Sequence, residues 1–397
     1  MKHRSRSLPE LLFPLGIPLA WLQLVADWKR FFAAIIGVTF GVTLMMYQMG
    51  LYDSLQEKVV FPHRNLKGDL IMVSKNFNFF YSARAFTRRR LMQARSIEGV
   101  TQVAPLYLSR TVWQLPHTRE TKEIFVFGID PTANPFTTKG IADNLSLLTV
   151  VGNVLYDAKA ARDYGPIPQM FRDSEEPLYA ELGGSRVTIS GLFEMGVIFE
   201  PSANVVLGVR TFNRIVGPHT RNMINIGVIT VNTDTSVDDV RERINKTLPG
   251  DVKVLTRQEF IRNEQQYWSK RTPIGFVITA GMIVAMIVGS VIVYQILYTD
   301  VNDHLSEYAT LKAIGIKDSF FMKLVIQEAG ILLVFGFVPG LLLTSALYLA
   351  TRVQAYMPIY MTWSRTLIVF FLSFLMCIVA GGLATRRLRS ADPAEVF

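Results

Sequence analysis

Apolar positions gather in four blocks, and between the first and second of them the chain returns to the mixed pattern of an ordinary folded domain. Phe31–Tyr52, Pro273–Tyr298 and Thr366–Thr385 carry no charged residue, and Leu324–Thr351 carries only Glu328. A helix needs about 20 apolar residues to cross about 30 Å of hydrocarbon. The pattern therefore predicts an α-helical membrane protein with four transmembrane helices, at 31–52, 273–298, 324–351 and 366–385. A large mixed α/β extracytoplasmic domain, 53–272, is inserted between the first and second helices. The connecting pieces are an amphipathic segment 1–30, a loop 299–323, a short outer loop 352–365 and a tail 386–397.

Inside the inserted domain the period changes. Leu70–Val73 is a short apolar strand, Ala83–Arg95 a basic helix, and Val100–Trp113 alternates. The order returns later: a strand at Ile226–Val231, a helix at Val237–Leu248 with Val240, Ile244 and Leu248 on one face, and a strand at Val252–Leu255. Two such β-α-β halves predict a split domain whose halves pair, with an insertion at about 115–217. The insertion's strands are expected at Ile124–Phe127, Val187–Ile189 and Val205–Val209. Thr256 and Glu259 form a capping box that starts a helix leading back to the membrane, and Pro273 predicts a bend there. Ahead of the first span, Trp21, Leu24, Val25 and Trp28 make an apolar stripe at helical spacing, which predicts a helix on the membrane surface.

Charge sets the orientation. Lys2, Arg4, Arg6, Lys29 and Arg30 precede the first span, and Arg386, Arg387 and Arg389 follow the last. With an even number of spans, the excess of basic residues places both termini in the cytoplasm of a plasma (inner) membrane protein. The net charge of +9 fits anionic lipid headgroups rather than nucleic acid. One cysteine, Cys377, excludes an intrachain disulfide.

Catalytic patterns do not emerge. The chain has no G-x-x-x-x-G-K-[ST], no H-E-x-x-H and no G-x-S-x-G, and its five histidines are scattered. The expectation is a non-enzymatic chain without a bound cofactor or metal. Within the spans, Ala33, Gly37 and Gly41 repeat every four residues, as do Gly281, Ala285 and Gly289. Such stripes let helices approach closely, either within one subunit or at a seam between two copies. Pro339 is expected to kink the third span. Glu328 is an intramembrane acid, either pairing with Lys323 near the interface or acting as a functional group.

The loop after the second span is the most informative piece. Asp303–Gly315 reads as a short helix closed by glycine. Leu305, Tyr308, Ala309 and Lys312 share a face, so the helix is expected to need a partner or to lie on the membrane surface.

These residues resemble the FtsX/MacB-type ABC transporter permeases. The resemblance rests on the span order, on Glu307-Tyr-Ala-Thr-Leu-Lys-Ala-Ile-Gly315 and on Arg389-Ser-Ala-Asp-Pro-Ala-Glu-Val-Phe397. Pro18-Leu-Ala-Trp-Leu-Gln-Leu24 and Tyr47-Gln-Met-Gly50 are similar to the DevC branch. The resemblance implies a permease subunit of an exporter that transmits ATP-driven motion to its outer domain. Two copies would work with a separate cytoplasmic ATPase that carries ATP and Mg, since about 30 residues precede the first span where MacB has a fused ATPase. The loop helix would be the coupling helix, with Leu305, Glu307, Tyr308, Leu311, Lys312 and Gly315 meeting the ATPase. The small-residue stripes become candidates for the dimer seam. A periplasmic adaptor, an outer-membrane channel and a lipid-like cargo such as glycolipid are further implications. An FtsX-like signalling role toward an extracytoplasmic hydrolase and a non-transport scaffold are the alternatives.

Overall fold

A computed structural model describes residues 19–197, 201–217, 222–314, 316 and 318–390. In chain order the elements begin with α1 (Leu19–Ala26) and α2 (Trp28–Arg64), then β1 (Leu70–Ser74), β2 (Phe86–Thr87), α3 (Arg88–Arg95), β3 (Val100–Gln114) and β4 (Thr121–Ile129). Next come β5 (Asn153–Asp157), α4 (Ile167–Asp173), β6 (Leu178–Leu182), β7 (Ser185–Phe193), β8 (Asn204–Gly208), α5 (Val209–Val216) and β9 (Met223–Ile224). β10 (Ile226–Val231), α6 (Val237–Thr247), β11 (Val252–Thr256) and α7 (Arg257–Gln266) complete the α/β region. The chain ends in α8 (Pro273–Asp303), α9 (Leu305–Ala313), α10 (Asp318–Ala355) and α11 (Trp363–Ser390).

The chain divides into two compact units, a helical one made of residues 1–54 and 275–397 and an α/β one made of 55–274. Among the described residues four helices are long and apolar enough to cross a membrane: Trp28–Arg64, Pro273–Asp303, Phe320–Ala355 and Trp363–Ala384.

The α/β unit has two parts that share β3. In the first, β1 lies between β10 and β11, and β10 pairs with β3, all antiparallel. The strand order β11-β1-β10-β3, with α3 following β1 and α6 following β10, is the split β-α-β arrangement. β1 is buried along its whole length, which explains why Leu70–Val73 is an unbroken apolar run rather than an alternating one. In the second part β4, β8, β5, β7 and β6 continue the sheet, and β6 returns to pair with the far end of β3 at Trp113–Leu182. That pairing closes six strands into a small barrel and removes its open edges. Trp113 and Tyr156 pack in its core with ring centres 5.7 Å apart and planes tilted by 32°. Buried Asp157 accepts from the backbone N–H groups of Lys159, Met195 and Gly196 and from Asn204 Nδ2, fixing the loops at one end.

The capping box forms: Glu259 N–H donates to Thr256 Oγ at 3.2 Å, and Thr256 N–H donates to Glu259 Oε2 at 2.9 Å. The helix that begins there changes to a π-turn at Tyr267–Arg271 and stops at extended Thr272. Pro273 then opens α8 at the helix position where its missing N–H costs nothing.

In the helical unit, α2 and α10 approach closely. A Cβ on Gly336 would meet Val38 and one on Gly340 would meet Val42. Thr39 Oγ donates to the Gly336 carbonyl at 3.1 Å and Thr43 Oγ to the Gly340 carbonyl at 3.4 Å, beside Pro339. α10 continues through Pro339. α1 packs on the same bundle: Ala20 and Leu24 are buried, Trp21 touches Phe31 and Phe335, and Leu22, Val25 and Trp28 face outward.

Candidate functional site: polar clusters of the helical unit

α9 connects the second and third long helices. Its central residue, Tyr308, is only 2% exposed. The ring packs on Phe321 and His304, and its hydroxyl accepts from Gln23 Nε2 of α1 at 3.1 Å. Leu305 and Leu311 are half-buried against the same apolar core. The expected partner-seeking face of Leu305 and Tyr308 is therefore occupied by the chain itself. An isolated nine-residue helix gains its stability from packing, and α1 and α10 supply it. The outward side carries Ser306, Glu307 and Thr310, followed by Ile314, which is 76% exposed. Nothing is described of the Lys312 side chain, and Gly315 lies outside the described residues, as do the final residues from Ala391 to Phe397.

Beneath α9 lies an acidic cluster. Glu328 on α10 is fully buried, and neither of its oxygens has a hydrogen-bond partner among the described residues. It is not paired with Lys323, which is exposed. It neighbours Asp300, 5% exposed, whose Oδ1 lies 3.9 Å from His304 Nδ1 and whose Oδ2 is also without a partner among the described residues. Burial pushes the Tyr308 phenol above its ordinary range, and the carboxylates of Glu328 and Asp300 add to that, while the Gln23 hydrogen bond opposes it. Arg30 closes the rim, with Nη1 2.7 Å from Asp303.

At the other end of the long helices the buried charge of Arg365 is matched, although Ser54 Oγ and Arg352 Nε there have no partner among the described residues. Arg365, 5% exposed at the start of α11, donates through Nε and Nη2 to Asp53 Oδ2 at 3.1 and 2.7 Å. Its Nη1 donates to the Tyr360 carbonyl and to Tyr348 Oη, and Tyr348 donates in turn to the Met46 carbonyl. This latch joins α2, α10 and α11. Sequence reading missed it, although a signal exists: Asp53 and Arg365 each abut a charge-free span and fall at the same end of the bundle.

The small-residue stripes meet one another within the chain. A Cβ on Gly41 would lie 3.4 Å from Gly289 Cα and 3.8 Å from the Ala285 carbonyl, and one on Gly37 would clash with Ile292. Gly37, Gly41, Ala285 and Gly289 thus serve α2–α8 packing, while Ala33 is exposed and Gly281 faces Gln48 instead.

In the α/β unit a third buried cluster joins the end of α2 to α7. His63 Nε2 lies 3.3 Å from Glu264 Oε2, both fully buried. Glu264 also accepts from Phe80 N–H and Trp268 Nε1, both at 2.9 Å. The two acidic and basic partners are some 200 positions apart, so no local spacing announces them. Among the described residues no group of three or more His, Cys, Asp or Glu could hold a metal.

Comparison with known proteins agrees with this layout. The profile of the MacB-like periplasmic core domain matches residues 31–247, more than half of the chain. That of the FtsX-like permease C-terminal region matches 279–393. The chain belongs to the MacB-like periplasmic core domain family and carries an FtsX-like permease C-terminal region. As families, these permeases are the membrane components of ABC systems and work with ATPase partners. Among solved structures, the chain is similar to the periplasmic region of MacB from Actinobacillus actinomycetemcomitans, with 11% identity, 49% of this chain and 92% of that one covered, and a TM-score of 0.35. The extracellular domain of the noncanonic ABC-type transporter YknZ from Gram-positive bacteria gives 14% identity, 48% and 99% coverage and a TM-score of 0.31. A domain of a permease protein from Porphyromonas gingivalis gives 14%, 49%, 90% and 0.32.

Proposed function

We propose that the chain is the permease subunit of an ABC-type exporter, working as two copies with a separate cytoplasmic ATPase that binds ATP and Mg. In this reading both termini and α9 are cytoplasmic, and the α/β unit is extracytoplasmic. The observation that carries it is the build of α9. Tyr308 anchors one side of the helix to its own bundle, while Glu307, Thr310 and Ile314 are left on the outside. A short helix fixed on one side and exposed on the other passes a push from a partner into the long helices that follow it. DevC-like export of a lipid-like cargo, with a periplasmic adaptor and an outer-membrane channel, is the form of the activity that the sequence resemblance favours.

The test is co-purification from the native cell in mild detergent. An ABC ATPase follows the wild type and is lost from Glu307→Arg and Ile314→Asp, both of which leave the Tyr308 anchor untouched. If no ATPase accompanies either the wild type or the variants, the exporter reading fails. The dimer seam is tested separately, by cysteine cross-linking on the exposed Phe32, Ile36 and Phe40 face of α2 against the exposed Ile283 and Ile287 face of α8.

A further inference from the structure

The α/β unit carries a surface of one sign, and it starts where β1 ends. Residues 75–97 hold six cations, Lys75, Arg84, Arg88, Arg89, Arg90 and Arg95, and no acid. Five of them lie on α3 or just ahead of it. Leu91 and Ala94 bury one side of that helix. Leu91 sits over Gly227 of β10, where a Cβ would come within 2.6 Å of it. This packing leaves Arg89, Met92 and Ser96 on the outward side by helical spacing, with Arg88 and Arg95 along one flank.

Such a surface weakens the helix that bears it. Three arginines fill the first turn, where the macrodipole favours acids. No acid stands there, and the Thr87 side chain caps no N–H. Solubility alone calls for both signs interspersed, and departures from local preference concentrate at functional sites. Two of the arginines are used within the chain. Arg90 Nε donates to Asp251 Oδ1 and Oδ2 at 3.1 and 2.9 Å, and Arg88 Nη2 donates to Asp130 Oδ2 at 3.3 Å. Arg84, Arg89 and Arg95 are exposed and make no ion pair among the described residues. Charge complementarity asks for an anionic occupant, and two features favour protein over lipid headgroups. The planar guanidinium fork matches carboxylates, which is how the paired arginines of this helix are used. Half-buried Met92 also sets an adaptable apolar contact among the cations, which a layer of headgroups leaves unused.

We propose that the outward face of α3 docks an acidic segment of a second protein, with Arg84, Arg89 and Arg95 meeting its carboxylates around Met92. The surface stands on these arginines; only its use in export rests on the exporter reading above. The test expresses the full-length chain in its native cell with p-benzoylphenylalanine in place of exposed Ser96, and mass spectrometry maps each photo-adduct. The adduct should fall on an acid-rich protein segment. Its yield should drop about tenfold when Arg84→Glu and Arg89→Glu are combined, the factor two exposed ion pairs supply. Arg89→Glu alone should leave the thermal midpoint of the purified chain unchanged or higher, because an acid suits the first turn. A lipid adduct, no protein adduct, a mapped segment without excess acid, an undiminished yield in the double variant, or a lowered midpoint in Arg89→Glu each overturn the proposal. Any of these with ATPase co-purification intact removes the docking surface and leaves the permease reading standing. The expected adducts without a co-purifying ATPase do the reverse.

Discussion

The two ends of the helical unit handle charge in opposite ways. At one end Arg365 is buried, yet its guanidinium meets Asp53, Tyr348 and the Tyr360 carbonyl. At the other, Glu328 is buried with neither oxygen bonded among the described residues, beside Asp300, another acid. Matched polar groups in a low-dielectric interior hold helices in one arrangement, whereas unmatched ones cost free energy that another arrangement can recover. The Arg365 end is therefore the fixed point of the bundle. On the exporter reading proposed above, the end beneath α9 is the place where a partner's push would change the packing.

The largest expected effect breaks the fixed end. Asp53→Ala leaves the buried Arg365 charge without its carboxylate and should cost about 2–4 kcal/mol, below the ~3–5 kcal/mol for breaking a fully buried pair because Asp53 is 57% exposed. Arg365→Leu leaves only a half-exposed carboxylate, which water can solvate, and should cost about 1–2 kcal/mol. Thermal unfolding of both variants in detergent measures the order. Equal losses would mean that the latch is no more than packing.

The opposite sign is expected at the other end. Glu328→Leu removes an unpartnered buried carboxyl and should raise stability by about 1–3 kcal/mol, the usual cost of leaving such a group unsatisfied. In the same variant, ATPase stimulation by the assembled complex should fall, because the alternative arrangement loses its driving force. If Glu328→Leu destabilises the chain instead, the acid has a partner, and the contrast between the two ends collapses.

A smaller change sharpens the role of α9. Tyr308→Phe keeps the ring between Phe321 and His304 but removes the acceptor for Gln23 Nε2. About 1 kcal/mol of stability should be lost, and ATPase co-purification should persist because Glu307 and Ile314 are unchanged. Loss of the ATPase in this variant would show that the anchor and the seat cannot be separated.

How far these features could be read from the sequence follows from their range. The four spans, the run Leu70–Val73 and the Thr256–Glu259 box are local patterns, and each has a counterpart in the structure. The barrel closure was not legible, because it depends on two residues at the end of β3 meeting β6 nearly 70 positions later. α9 was legible as a helix but its facing was not. Leu305 and Tyr308 look like a surface for a partner until α1, from far upstream, is seen to cover Tyr308. The glycine stripes left packing and dimerisation open, and the Gly41–Gly289 contact uses them inside one chain. His63 and Glu264 looked like unrelated residues because only the return of the chain brings them together.

The smallest effect supplies the background against which either end must be judged. The Thr256 N–H and then the Arg241 guanidinium hold the Glu259 carboxyl below its ordinary range, with Arg241 2.8 Å away. A lowered folded-state value means that the contribution is complete above the unfolded value of about 4.3. It is lost as pH falls through the lower folded value, because the unfolded chain then binds the proton more readily. The stability of the α/β unit should therefore decline as pH drops from about 5 toward 3, with a share from Glu259 well under 1 kcal/mol because the side chain is nearly half exposed. Glu259→Gln can still complete the capping box but cannot titrate, so the acid slope should flatten while the neutral-pH midpoint moves little. Urea midpoints of the full chain across this pH range measure both quantities. Any slope that survives in Glu259→Gln belongs to other carboxylates.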